Sequence, residues 1–167
     1  MKLTLKDLFE QNENIDLDEY IRFREYVKTF MEHPEWLGDF TKEELAFMLE
    51  NGSKIWMYYL NKEPVCSMML IPADKHALDK FEINLDHKIV ADYGPMMVSP
   101  SYVGNGLQYQ MLKSLDNYCL DKGYLYAAGT IHPDNIYSIN NLIKDDFKLT
   151  NQKSFTRGLR NIYLKKL

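Results

Sequence analysis

The sequence is defined first by what it lacks. Its two cysteines, Cys66 and Cys119, stand far apart and in no metal or redox spacing, which excludes a disulfide framework and predicts a reduced, cytoplasmic protein. No stretch approaches the roughly 18 uninterrupted apolar residues of a membrane span, and the chain opens on Lys2, Lys6 and Asp7 without the apolar core of a signal peptide. Basic residues are not in excess: 20 Lys and Arg face 24 Asp and Glu, a net charge of −4, which disfavours a nucleic-acid binder. The four histidines, His33, His76, His87 and His132, form no i, i+4 pair and have no cysteine neighbour, so no metal site is expected. Gly-x-Ser-x-Gly is absent, which removes the usual serine-nucleophile elbow. Repeats and Pro- or Gly-rich linkers are also missing, and residues 1–167 read as one domain.

What is present is an ordinary globular composition, 46% apolar, with 12 Tyr, 8 Phe and 2 Trp to fill a core. The first fifty residues read as helical. Leu17, Tyr20, Ile21, Val27, Phe30 and Met31 recur at helical spacing up to His33-Pro34. A second helix begins at Thr41, with a Thr41-x-x-Glu44 capping box and Asn51-Gly52 as its stop. Lys54–Leu60 and Pro64–Ile71 then read as a hairpin about Asn61-Lys62-Glu63. Asp74 to His87 is polar and carries no clear pattern. A strand over Lys88–Val98 contains Gly94-Pro95, which demotes it to an edge or marks a bulge. A helix from Leu107 to Asp121 ends at Gly123, Tyr124–Ile131 is a strand, a short helix follows Asn135, and Phe155–Leu164 is a last strand. Together these predict a mixed α/β fold, mainly antiparallel, with one parallel βαβ crossover and flanking helices.

The segment richest in chemistry is Val98-Ser99-Pro100-Ser101-Tyr102-Val103-Gly104-Asn105-Gly106-Leu107, a strand running through a glycine turn into an amphipathic helix. The first amides of a helix have no partners within it and carry the positive end of the macrodipole. Glycines let a ligand approach the backbone closely. That combination binds phosphate, although a plain glycine turn before a helix would look the same. It is neither a Walker loop nor the dinucleotide Gly-x-Gly-x-x-Gly, because Tyr109 occupies the third glycine's place.

From residue 88 onward, about half the chain, the sequence resembles the GNAT superfamily of N-acetyltransferases. Val98-x-Pro100 and Gly104-x-Gly106 match that family's first cofactor motif, with Ser101 where Arg or Gln is usual. His132-Pro133-x-Asn135-x-x-Ser138, then Leu142 and Asp146-Phe147, looks like its second, with Asp146 where glycine is typical. The resemblance implies a GNAT-like fold and acetyl-CoA as co-substrate, without a metal. It implies backbone contacts from Met97 and Val98 to the pantetheine arm, and from the amides of Val103, Gly104, Asn105, Gly106 and Leu107 to the pyrophosphate. Asn135 and Ser138 would touch the arm by side chain. The acceptor would be an amine of a small molecule or a peptide, attacking the thioester directly in a ternary complex.

Catalysis by such a protein needs a base within hydrogen-bond reach of the amine, and Asp92, Tyr93 and His132 are the nearest candidates by position. His132 carries the side-chain type that exchanges protons near neutrality, and equally it reads as a residue bonded to backbone beside Pro133. The tyrosine that often returns the proton to the thiolate in this family is replaced by Leu142. The alternative is therefore a catalytically weak or inactive module that binds acyl-CoA. The basic tail, Arg157, Arg160, Lys165 and Lys166, reads as a solvated strand edge, and a final strand left exposed would allow homodimer pairing.

Overall fold

The computed structural model of the chain describes residues 2–167; Met1 lies outside the described residues. Eight strands, β1 (Phe9–Gln11), β2 (Lys54–Leu60), β3 (Glu63–Pro72), β4 (Val90–Tyr93), β5 (Met97–Val98), β6 (Tyr126–Ile131), β7 (Lys148–Phe155) and β8 (Gly158–Lys166), form one sheet. Its order is β1-β2-β3-β4-β6-β8-β7, with β5 paired to β3 off that path. The helices are α1 (Leu17–Thr29), α2 (Lys42–Glu50), α3 (Lys75–Phe81), α4 (Leu107–Asp121) and α5 (Ile136–Lys144). β4 and β6 pair in parallel around α4, which is the expected crossover, and the hairpins β2–β3 and β7–β8 are antiparallel. Among the described residues no helix is long and apolar enough to cross a membrane.

The chain divides into two compact units, one formed by residues up to Leu70 with Gly94–Met111, the other by Ile71–Tyr93 with Leu112–Leu167. In the first, α1 starts on Asp16, whose side chain accepts from the amides of Asp18 and Glu19. α2 starts on the Thr41–Glu44 capping box as the sequence predicts. The β2–β3 turn has both Asn61 and Lys62 at positive φ, 49° and 69°, the conformation a two-residue hairpin demands. The helical reading of the first fifty residues needs one correction. Phe9–Gln11 is a strand on β2, too short to announce itself by alternation.

The predicted strand over Lys88–Val98 breaks in two. Val90 O accepts from Ala73 N at 3.2 Å and Met69 O from Gly94 N at 2.9 Å, whereas Met97 pairs with Ser67 and Val98 with Cys66. The register against β3 therefore slips by one residue between Gly94 and Met97, a bulge at the amide-less Pro95. Pro95 is also wedged: a Cβ on Gly38 would lie 2.8 Å from its Cγ.

In the second unit, α3 fills the stretch that showed no pattern, capped by Asp74, whose Oδ1 accepts from Ala77 N at 2.7 Å. Ala73, Leu78, Ile83, Val90, Ala128 and Ile162 close the apolar core there. The single tail strand is a second correction. Thr156-Arg157 is a turn, and the chain forms β7 and β8 on either side of it. β8 lies between β6 and β7, so the basic residues do not line an edge. Arg160 donates to Thr130 O at 3.0 Å, and Lys165 reaches Asp116 Oδ2 at 2.5 Å and Asp145 Oδ1 at 3.1 Å. The end of α5 keeps its turn without a glycine. Asp146 takes the left-handed conformation of the glycine it replaces, φ 67°, and Phe147 N returns to Leu142 O at 3.0 Å.

Two stability changes follow. Gly38→Ala should lower stability by about 1–3 kcal/mol through overpacking against Pro95, with most of the loss recovered in Gly38→Ala, Pro95→Ala, as urea denaturation would read. Asp146→Gly should raise it by about 0.5–1 kcal/mol by relieving left-handed backbone strain.

Candidate active site

Candidate residues lie in both units, and each unit is described in turn. β4 pairs with β6 through Val90↔Tyr126, Ala91↔Ala127 and Asp92↔Ala128. Past Ala128, β6 continues on β8. β5 pairs with β3, and its other edge carries no strand among the described residues. Met97 is buried and Val98 half-buried, and Ser99 N extends the ladder to Val65 O at 2.7 Å. One edge of Met97 and Val98 thus offers backbone groups to an extended ligand.

A turn of 3-10 helix, Pro100–Tyr102, then leads to Val103, Gly104, Asn105 and Gly106. Gly104 and Gly106 have φ of 96° and 70°, and a Cβ on either would meet no protein atom within 4 Å. Their requirement is conformational, and the space before them is open. Gln110 N donates to Gly106 O at 3.1 Å, which makes Gly106 the N-cap of α4. The amides from Val103 to Leu107 precede that first turn and stand at the positive end of the helix, while Leu107 is buried beneath it. Amides at the head of a helix are the kind of group that can receive a phosphate.

In the second unit, Asn135 caps α5, its Oδ1 accepting from Ser138 N at 3.4 Å. Ser138 is half-buried in the first turn of the helix. His132 Nδ1 accepts from Asp134 N at 3.1 Å and its carbonyl from Asn135 N at 3.0 Å, which is the backbone-bonded role. Leu142 is buried and packs toward Gly129.

The two neighbouring candidates on β4 separate by face. Tyr93 is buried and donates its hydroxyl to Asp116 Oδ1 at 2.7 Å, and burial holds its proton on far above the usual phenol range. That hydroxyl belongs to the core. Asp92 shares the opposite face with Val90 and Ala128, both in the apolar core. Desolvation there, with the Asp74 carboxylate adding to it, pushes its carboxyl up to about 7.

The sequence reading missed Asp116 and Lys165. Both had a signal: Asp116 sits within the apolar stripe of α4 beside Leu112, Leu115 and Cys119, and Lys165 continues the inward positions Asn161 and Tyr163 of β8. Burial, and then the adjoining Asp145, raise the Asp116 carboxyl to about 6. Lys113 Nζ joins at 3.0 Å from Asp145 Oδ1.

Asp92 holds its proton more tightly folded than unfolded, so its ionisation opposes folding. Stability should fall as pH rises from about 4 to 7, with the penalty fully present above 7. Asp92→Asn should flatten part of that fall and stabilise the protein at pH 8 by about 1–3 kcal/mol, read as melting temperature against pH.

No family model matches the sequence, and no curated protein matches it. Solved structures do. The chain is similar over 96% of its length, and 99% of the other's, to an acetyltransferase of the GNAT family from Streptococcus pneumoniae, with TM-score 0.71 and 14% identity. An aminoglycoside acetyltransferase, AAC(6')-Ib, in complex with coenzyme A and kanamycin, is similar over 95% of each chain, with TM-score 0.70 and 14% identity. A GNAT family acetyltransferase from Elizabethkingia anophelis with acetyl-CoA bound is similar over 96% and 99%, with TM-score 0.69 and 12% identity. The fold is that of the GNAT acetyltransferases.

Proposed function

We propose that the protein is an acyl-CoA-dependent N-acetyltransferase that moves an acetyl group from acetyl-CoA to a primary amine of a small molecule or a peptide. The observation that carries this reading is the glycine cradle at the head of α4, in a chain whose fold is shared with structures holding coenzyme A or acetyl-CoA. AAC(6')-Ib in complex with kanamycin supports a small-molecule amine as one kind of acceptor.

Acetyl-CoA supplies the activated acyl group as a thioester. The amides of Val103 to Leu107 hold the pyrophosphate by their dipoles, and Gly104 and Gly106 keep side chains out of its way. Met97 and Val98 pair with the pantetheine arm through their backbone as an added strand would. Asn135 and Ser138 contact it from α5. Asp92 is the base. With its carboxyl raised to about 7 it is partly ionised at neutral pH and accepts a proton from the amine as it attacks, directly or through water. His132 is the alternative, but the Nδ1 lone pair of its neutral ring already accepts from Asp134 N, so it acts as a base only by giving up that bond. Tyr93 is not assigned a proton-transfer role, because its hydroxyl is held by Asp116.

The second reading, an acyl-CoA-binding module with little turnover, is favoured by one observation. Leu142, at the position where the family often places its tyrosine acid, is buried and has no proton to give. Solvent would then have to protonate the departing thiolate.

Acetyl-CoA at about 100 times its Kd should raise the melting temperature by roughly 5–10 °C. Gly106→Trp, which fills the open cradle at about 1–2 kcal/mol of backbone strain, should stay folded and lose that shift. A free-thiol assay over a panel of amines then decides between the readings. No shift in the wild type overturns both, and a shift without thiol release favours the binding module. Asp92→Asn should keep the shift and lower kcat at least 100-fold.

A further inference from the structure

The two glycines that open the cradle also loosen it, since each loses more conformational entropy on ordering than any other residue. Between them stands Asn105, and its side chain reaches out of the turn in two directions. Asn105 Oδ1 accepts from Leu3 N at 2.9 Å, and Nδ2 donates to Tyr102 O at 2.9 Å. One turn into α4, Gln110 repeats the arrangement. Its Oε1 accepts from Leu5 N at 3.0 Å, and its Nε2 donates to Asn105 O at 3.1 Å. Each carboxamide therefore faces a backbone amide with its oxygen and a backbone carbonyl with its nitrogen, the one orientation that satisfies both ends.

The segment so gripped is itself anchored. Thr4 N and Oγ1 both donate to Asp7 Oδ2, at 2.8 and 3.0 Å, shaping the short 3-10 turn Leu5–Asp7. Leu8 is buried behind it, and β1 then pairs with β2. Leu3 to Leu8 thus run as a strap from a fixed strand to the glycine turn, more than a hundred positions away in sequence.

We propose that this strap sets the conformation of the phosphate cradle, with Asn105 and Gln110 as positioning residues, so that affinity for the pyrophosphate of the acyl donor depends on the amides of Leu3 and Leu5. The proposal rests on the reading of residues 103–107 as the pyrophosphate site. Order supplied before binding need not be supplied by the ligand, which strengthens binding without any new contact to it.

The test deletes one amide. Leu5 is the first residue of the 3-10 turn, and Thr4 before it is extended, φ −123° and ψ 163°, as a residue preceding proline prefers. Leu5→Pro removes the N–H given to Gln110, whereas Leu5→Ala removes the same side chain and keeps that N–H. Hydrogen exchange of the unliganded proteins should show amides 103–107 exchanging at least 10-fold faster in Leu5→Pro than in Leu5→Ala. The Kd for coenzyme A should be 5–20-fold weaker, while kcat/KM with S-acetylpantetheine, which lacks the pyrophosphate, stays the same in both. Gln110→Leu, which needs no change in the strap, should reproduce the exchange and Kd effects if Leu5→Pro does not fold. Equal exchange in the loop overturns the strap. Wild-type protein that binds no coenzyme A overturns the proposed function instead, and with it the ligand half of this inference, while the exchange comparison still decides the mechanical half.

Discussion

Between Gly94 and Met97, at a bulge that contains the amide-less Pro95, the chain leaves one register against β3 and resumes in the next. Gly94 still donates to Met69, and Met97 pairs again with Ser67, but one residue out of step. A continuous strand would have carried the pairing of β4 with β6 onward past Asp92↔Ala128. Instead β5 follows β3 alone, leaving backbone groups on its other edge. The bulge is held from behind, because Gly38 leaves just enough room for the proline ring and a Cβ there would not. Disrupting the ladder at the bulge creates the strand edge on which an extended ligand can pair.

The second unit is held by a buried charge network. Lys165, Asp116, Asp145 and Lys113 form a chain of ion pairs, two of whose members, Asp116 and Asp145, are buried. Tyr93 closes it from β4, its ring 5.7 Å from that of Phe147. Buried charges repay their desolvation poorly unless every partner is present, so what this network secures is register: α4 has one azimuth at which Asp116 meets both Tyr93 and Lys165. It also explains why adjacent residues on β4 have opposite characters. Tyr93 faces the network and is locked, while Asp92 faces an apolar core and keeps its proton near neutrality. A raised carboxyl is destabilising to the fold, and it is the property that the proposed base requires.

How much of this was legible depended on whether the signal was local. Caps and turns were, since Thr41 with Glu44, Gly123 after α4, and Asn135 before α5 each act within a few residues of themselves. So was the glycine cradle, whose requirement for positive φ is written in Gly104 and Gly106. β1 and β7 were not, because a three-residue strand has no periodicity to detect and β7 owes its place to pairing with β8. Asp146 hides the helix end for a different reason: an aspartate can adopt the left-handed turn at a cost, so the missing glycine alters the energy of the helix end and not its geometry. The clasps at Asn105 and Gln110 were invisible in principle, since their partners are backbone amides, and any residue but proline has one.

The cradle itself contains no charged side chain from Met97 to Leu112. A site lined with lysine or arginine would attract an anion from a distance and tolerate imprecision, because long side chains adjust. Amide dipoles do neither. They act only at contact and only when several converge on one point, and in a turn with glycine on both sides of Asn105 that convergence is not given by the chain alone. In the proposed site, recognition by backbone would therefore transfer the problem from charge to order. Order then has to come from outside the turn, and the hydrogen bonds from Leu3 N and Leu5 N to Asn105 and Gln110 are the contacts proposed to supply it.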